Sequence, residues 1–270
     1  MRLKKAARVI LIGAPGVGKG TQSERLLRRF PQLAHLSSGD LLRHNVKTRT
    51  PLGIKVESTI KAGGLVPDNL ILRLIRNELS TRGWLVSSGS PDLLTIAAKS
   101  TADDAGVATF LSQHKAAVDG SMAGAAAESR LSEDPAASFL LDGFPRTAAQ
   151  AAQLDLFVPV NLAISLKTPF EVVMQRIASR WVHEPSGRVY NDSFNAPRMA
   201  GRDDVTGEPL VKRPDDSEAV YRTRYDKFLE TSTPLLAHYA DRGVLLEVEG
   251  MSSDEITPKL FAEFERRFVD

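Results

Sequence analysis

The sequence predicts an α/β fold in which helices cover both faces of a parallel sheet. Short apolar runs alternate with longer amphipathic stretches along most of the 270 residues, and this alternation is typical of parallel sheets. The runs are rich in Val, Ile and Leu, as strands buried on both faces are. A glycine-rich turn joins the first run directly to the first helical stretch.

The individual elements follow in order from this pattern. The apolar runs predict strands at residues 9–12, 33–36, 139–141, 161–166 and 244–248. Amphipathic spacing predicts helices at residues 19–30, 40–48, 52–62, 68–82, 147–157, 169–181, 217–239 and 254–268. Proline at the first helical position supports several helix starts, such as the one after Thr168.

Composition narrows the classes of function. The formal charge is +2, with 42% hydrophobic and 25% charged residues, values typical of a globular domain and too balanced for binding nucleic acid by bulk charge. The chain has no cysteine, which excludes disulfides, thiol catalysis and Cys-ligated metals. No run approaches the ~18 apolar residues of a membrane-spanning helix. The basic start of the chain (Arg2, Lys4, Lys5, Arg8) fits either an uncleaved organelle-import signal or a solvated lead-in to the first strand.

Two segments interrupt the α/β pattern. Residues 87–137 are about half Ala, Ser and Gly and show no sustained apolar period, which predicts a largely flexible insertion. Residues 182–213 are rich in Gly, Pro, Asn and Asp with short alternating pieces, which predicts a small subdomain built from hairpins. Its apolar residues are expected to share a minor core: Trp181, Val189, Tyr190, Phe194, Val205 and Leu210.

The strongest motif is GAPGVGKGT at residues 13–21, between a predicted strand and a predicted helix. Glycines let backbone N–H groups converge on a phosphate, and the helix N-terminus adds partial positive charge. Lys19 supplies an ammonium group for the β- and γ-phosphates. The strict phosphate-loop pattern has Ser or Thr directly after the lysine, whereas here Gly20 precedes Thr21.

Two further motifs accompany the phosphate loop. LSSGDLLR occupies residues 36–43, and LLDGFPR followed by Gln150 begins at residue 140. Together with the loop they resemble the adenylate kinase family. RWVHEPSGRVYN at residues 180–191 and DDVTGEPL at residues 203–210 are similar to the lid of its long-form members. Within that family these lid residues, and RGWL at residues 82–85, are most similar to the mitochondrial GTP:AMP phosphotransferases, in particular the fungal ones.

The resemblance implies a P-loop kinase fold with a five-stranded parallel sheet, a helical NMP-binding flap and a small β lid. The core would comprise residues 1–36, 68–86, 138–180 and 215–270, the NMP-binding flap residues 37–67, the insertion residues 87–137 and the lid residues 181–214. The implied reaction transfers the γ-phosphoryl group of Mg·GTP, or of ITP, to AMP. The corresponding partners are small nucleotides, without nucleic acid or membrane, in a monomer of the mitochondrial matrix or, alternatively, the cytoplasm.

The resemblance also implies roles for individual residues. The catalytic set would be Lys19, Arg146, Arg180, Arg213, Arg224 and Asp142, the last acting through Mg²⁺-bound water. Donor contacts would come from Gly16, Val17, Gly18, Lys19, Gly20, Thr21, Arg176, Arg180, Val189 and Tyr190. AMP contacts would come from Ser38, Arg43, Gly64, Leu65, Val66, Gly143, Phe144, Pro145, Arg146, Gln150, Arg213 and Arg224. Mg²⁺ is expected with the nucleotide rather than on protein ligands.

In some relatives, structural zinc occupies the lid at positions that correspond to His183, Ser186, Asp203 and Thr206. Only the histidine and the aspartate are good zinc ligands here, so a hydrogen-bonded polar cluster without zinc is expected. Two alternatives to GTP:AMP transfer remain open at this point: an ATP:AMP adenylate kinase, and a GTP-binding switch from a different class. The DGFPR run and Gln150 indicate a second nucleotide pocket, and a switch needs no such pocket.

Overall fold

The computed structural model describes residues 1–61, 66–87, 129–192, 195–212 and 218–269. In chain order its elements are β1 (Arg8–Gly13), α1 (Lys19–Arg29), β2 (Leu33–Ser37), α2 (Ser38–Lys47), α3 (Pro51–Lys61), α4 (Asp68–Thr81), β3 (Leu85–Ser87), β4 (Ser129–Leu131), β5 (Ser138–Asp142), α5 (Ala148–Asp155), β6 (Leu162–Lys167), α6 (Phe170–Ala178), β7 (Arg180–Val182), β8 (Val189–Asn191), α7 (Glu218–Asp241), β9 (Leu245–Glu249) and α8 (Ser253–Phe264). A π-helical turn, Glu265–Val269, follows α8.

The predicted parallel sheet is confirmed, with its five strands in the order β2-β5-β1-β6-β9. Successive side chains of a strand point to opposite sides of the sheet. The central strand β1 consists almost entirely of apolar residues, so it is apolar on both faces. Ile10 and Ile12 contact the layer formed by α4, α5 and α7. Val9 and Leu11 contact the layer formed by α1 and α8.

The apolar residues at the start of the chain pack on the core, while Arg2, Lys4 and Lys5 are exposed, as expected of a solvated lead-in. Leu3 and Ala7 are buried in the α1–α8 layer, and the Lys4 amide donates to the carbonyl of Phe268 at 2.7 Å. Arg8, the last of the four basic residues, is 7% exposed and pairs with Glu133 at 3.0 Å.

A two-stranded antiparallel pair, β3 and β4, was not predicted. The residues from 129 to 137, assigned above to the insertion, form β4 and a short 3₁₀ turn that leads into β5. The remainder of the predicted insertion, residues 88–128, lies outside the described residues. Among the helices that are described, none is long and apolar enough to span a bilayer.

Candidate nucleotide-binding site

Three parallel strands end side by side at one edge of the sheet. Asp142, the last residue of β5, is in register with Leu11 of β1 and Ser37 of β2. The segments that follow these strands therefore meet at this edge, where ligands bind in open α/β sheets. The three segments are the glycine-rich loop, the start of α2 and the DGFPR turn, so the structure brings all three motifs together.

The glycine-rich loop is held tightly against α6. Gly16 has a φ of +78°, and a Cβ atom there would lie 2.8 Å from side-chain carbons of both Val173 and Ile177. Gly18 has a φ of 101° and occupies the N-cap of α1, where it makes no side-chain capping bond. The first turn of α1 also contains no acidic residue. The positive end of this helix is thus left for an anion to neutralise.

Lys19 lies folded back over the loop. Its Nζ donates to the carbonyls of Gly13 at 2.8 Å and Ala14 at 3.1 Å, so the ammonium group is held within the loop that would surround a phosphate. Gly20 and Thr21 are exposed, and a Cβ atom at Gly20 would have no neighbour within 4 Å. The open side of the loop therefore faces solvent at the start of α1.

Asp142 carries an unpaired oxygen beside this loop. Its Oδ1 is buried and has no hydrogen-bond partner among the described residues. A buried carboxylate oxygen without a donor is costly unless a bound group satisfies it. A water bound to Mg²⁺ would supply that donor, so the residue fits the expected metal–nucleotide complex. The described residues include no group of three or more His, Asp or Glu side chains placed to ligate a metal directly.

The DGFPR turn closes against the start of α2. Gly143 has a φ of +84°, and a Cβ atom there would lie 2.7 Å from Ser38 Oγ, so only glycine fits. Arg146 Nε donates to the Gly143 carbonyl at 2.8 Å, while the side chain itself is exposed. Phe144 and Pro145 are buried beneath the turn. This arrangement places one exposed guanidinium beside Ser38.

Arg43 provides a second guanidinium, on α2, the helix that begins at Ser38. It forms an ion pair with Asp40 and lies over Gly39, where an added Cβ atom would be 3.2 Å from Arg43 Nη1. Partial burial raises the pKa of Asp40, but hydrogen bonds from Arg43 and Ser37 outweigh it and hold the pKa below its ordinary value. Asp40 is therefore ionised at neutral pH and holds the Arg43 guanidinium by an ion pair.

Gln150 is buried between the turn and α4. Its Oε1 accepts from the Arg146 amide at 2.6 Å, and its Nε2 donates to Asp68 Oδ1 at 2.6 Å. Val66, also predicted for this pocket, is buried with Val56 and Leu70 where the NMP-binding flap joins α4. The predicted acceptor residues that are described thus lie on the DGFPR turn, in the first turn of α5 and at both ends of the NMP-binding flap.

The lid contains the expected hydrogen-bonded polar cluster. Arg188 makes a bidentate contact with Asp203 at 2.6 and 2.7 Å, and Thr206 donates to the same carboxylate at 3.0 Å. The buried His183 contacts Ser186 at 2.7 Å and Glu208 at 2.6 Å. The bond from Arg188 lowers the pKa of Asp203 strongly, against the opposing effect of burial.

The predicted apolar core of the lid is wrong in part. Tyr190 and Leu210 are buried, but Val189 is 44% exposed and Val205 is 73% exposed, and Phe194 lies outside the described residues. The Tyr190 hydroxyl donates to Asp203 at 2.9 Å and accepts from the Asp204 amide at 2.9 Å. Polar contacts therefore replace much of the expected apolar packing.

Comparison with known proteins identifies the family of this chain. A family profile described as "Adenylate kinase" matches residues 11–119, and one described as "Adenylate kinase, active site lid" matches residues 180–215. A mitochondrial GTP:AMP phosphotransferase of Saccharomyces cerevisiae is 39% identical over 263 residues, which cover 96% of this chain and 92% of the relative. One of Drosophila melanogaster is 33% identical over 256 residues, covering 95% and 94%. The chain belongs to the adenylate kinase family.

Some of the residues that this family assignment points to are not in the described part of the chain. Gly64, Leu65 and Arg213 lie outside it, and so does the side chain of Arg224, although its backbone belongs to α7. Arg180 is described at the start of β7, half-buried. The roles of all the predicted site residues stay predictions, among them those of Val189 and Tyr190 toward the donor.

The adenylate kinase motifs gave no indication of a further loop at residues 250–253. Arg176, predicted to lie against the donor base, donates from Nη2 to the Met251 carbonyl at 2.6 Å. Burial lowers the pKa of Arg176. Gln22 of α1 donates to the Ser253 carbonyl at 3.2 Å, and Ser253 Oγ lies 3.7 Å from the Cβ position of Gly18. The contacts use main-chain carbonyls, which any sequence provides, so sequence reasoning had no signal for them.

Proposed function

We propose that this adenylate kinase family member transfers the γ-phosphoryl group of Mg·GTP, or of ITP, to AMP and so forms GDP and ADP. The observation that carries the proposal is the meeting of a phosphate loop and a second, arginine-bearing turn at one edge of the sheet. The relatives named GTP:AMP phosphotransferase support GTP as the donor.

On the donor side, the loop amides, the start of α1 and Lys19 would bind the triphosphate. Arg180 would neutralise the transferring charge, and Arg176 with the loop at residues 250–253 would line the base pocket. The position of that loop beside Gly18 supports this assignment. The Mg²⁺ ion bound to the nucleotide neutralises charge on the β- and γ-phosphates, and Asp142 would accept a hydrogen bond from one of its waters.

On the acceptor side, the resemblance assigns Arg43, Arg146, Arg213 and Arg224 to the AMP phosphate and the transferring group. Arg43 would exchange Asp40 for the AMP phosphate, a stronger partner for a guanidinium fork. An oxygen of the AMP phosphate bonds to the γ-phosphorus as the bond from that phosphorus to the β–γ bridging oxygen breaks. The attacking oxygen is already ionised at neutral pH, so no general base is required and catalysis rests on positioning and charge neutralisation.

The relatives carry the word mitochondrial in their names, which supports a site of action in the mitochondrial matrix. We further propose that the protein acts as a monomer with nucleotides as its partners. We infer a monomer because all three motifs of the site come from one chain. Sedimentation at micromolar concentration, with and without nucleotide, tests this: a dimer would contradict it.

The deciding experiment compares donors at a fixed AMP concentration. The proposal predicts a kcat/KM for GTP that exceeds the value for ATP. A tenfold preference for ATP, about 1.4 kcal/mol of transition-state free energy, would identify an ATP:AMP kinase instead. Family membership would survive that result, but the assignment of the donor would not.

A further inference from the structure

The amide of Gln150 is fixed between two groups from different elements. Asp68, the first residue of α4, accepts from its Nε2 at 2.6 Å, and the backbone amide of Arg146 donates to its Oε1 at 2.6 Å. Gln150 is 9% exposed and lies in the first turn of α5, whose N-cap Thr147 accepts from the Gln150 backbone amide at 3.2 Å. Both the backbone and the side chain of Gln150 are therefore anchored.

The two partners allow only one orientation of the amide. A carboxylate only accepts hydrogen bonds, and a backbone N–H only donates them. Rotating the amide by 180° would place Oε1 against the Asp68 carboxylate and Nε2 against the Arg146 N–H. Two hydrogen bonds would be replaced by two repulsive contacts in a buried position, where an unsatisfied polar group is costly.

This orientation decides which purine the amide can recognise. After its two internal bonds, the Gln150 side chain keeps one N–H donor and one acceptor lone pair. Adenine offers an acceptor at N1 beside the donor amine at C6. Hypoxanthine and guanine offer the opposite pair, a donor at N1 and an acceptor at C6. In one binding pose, a fixed amide pairs with adenine and opposes the other two, whereas an amide free to rotate pairs with either.

We propose that Asp68 is a specificity-determining positioning residue, which selects AMP over IMP and GMP by fixing the orientation of the Gln150 amide. The inference rests on the proposed function, in which Gln150 reads the acceptor base. Asp68 belongs to none of the motifs that carry the family resemblance, and its contact with Gln150 spans 82 positions in sequence.

The test is the ratio of kcat/KM for AMP to kcat/KM for IMP in D68N, with GTP as donor. Asparagine has nearly the shape of aspartate but can donate as well as accept, so at position 68 it can pair with either orientation of the amide, and only the Arg146 N–H still opposes rotation. We expect the AMP/IMP ratio to fall tenfold or more, and D68A, which removes the partner altogether, to change the ratio in the same direction. Equal losses with both acceptors, leaving the ratio unchanged, would overturn the proposal.

Two controls separate positioning from general effects. Glu171, in the first turn of α6, offers E171Q as a variant that removes one carboxylate from a helix start away from Gln150, and its AMP/IMP ratio should match wild type. In a Q150A background, D68N should change the ratio less than twofold. An equal fall in both backgrounds would show that Asp68 acts independently of Gln150. Failure of the wild-type enzyme to phosphorylate AMP would instead refute the proposed function itself.

Discussion

β3 and β4 lie where the insertion between them begins and ends. Ser87 and Ser129 are Cα partners in the antiparallel pair, so the chain departs and returns at neighbouring points. Trp84, just before β3, stacks on Phe139 with ring centroids 6.1 Å apart. Phe139 lies at the start of β5, whereas Asp142 at its end faces the site. The insertion therefore leaves from the edge of the sheet opposite the nucleotide site.

We predict that replacing residues 88–128 with a four-residue Gly-containing turn leaves kcat unchanged and raises stability. The free energy of loop closure changes by about 0.6 kcal/mol for each doubling of length. Shortening a connection of 41 residues to four is about three halvings. The expected gain in the free energy of unfolding is therefore about 2 kcal/mol, provided that the segment serves only to connect the two strands.

Urea unfolding and a coupled assay of ADP formation test the two halves of this prediction. A second variant, in which the same 41 positions are filled with Gly and Ser, separates length from sequence and should match wild type in both measurements. A folded deletion variant with kcat reduced tenfold or more would refute the reasoning. So would loss of activity in the Gly–Ser variant, since the native residues would then contribute to catalysis.

Three further predictions concern the site and the lid. K19M and R146A should each lower kcat/KM by about a hundredfold or more with little change in Tm. The control R266A changes an exposed arginine of the π-helical turn and should leave kcat/KM and Tm unchanged. Near-wild-type turnover in K19M or R146A would remove that residue from the mechanism. D203N should lower Tm by several degrees at neutral pH. Because Arg188 lowers the pKa of Asp203 in the folded state, the ionised Asp203 stabilises the fold at pH values above about 4, the ordinary pKa of a carboxyl group. This contribution is lost as the pH falls, so the Tm difference between wild type and D203N should shrink on acidification. A difference that widens would contradict this. A bisubstrate dinucleoside polyphosphate should slow amide hydrogen exchange in both the NMP-binding flap and the lid, and protection confined to the phosphate loop would argue against closure of the two.

The sequence was sufficient for features that depend on local pattern. The five strands of the parallel sheet were predicted because each is a short, largely apolar run, and the phosphate loop because its glycines lie between a strand and a helix. The pair β3–β4 was missed because a three-residue strand is too short to show a period, and because 41 residues separate the two strands in the sequence.

The errors within the site have a similar physical origin. An alternating hairpin does not reveal which face is covered, so Val189 and Val205 were assigned to a core that the polar contacts of Asp203 replace. The loop at residues 250–253 joins Arg176 through a carbonyl oxygen. The contact of Asp68 with Gln150 depends on how the flap returns to the core. None of these contacts leaves a signature in residue type or spacing.

The central claim is that one edge of the sheet binds GTP and AMP together, so that the γ-phosphoryl group passes to AMP and not to water. Incubation with GTP labelled at the γ-phosphorus, with and without AMP, tests it most directly. We predict that the label appears in the β-phosphate of ADP, at a rate that depends on AMP. Release of the label as inorganic phosphate, with AMP left unchanged, would contradict the account and indicate a GTP-hydrolysing switch.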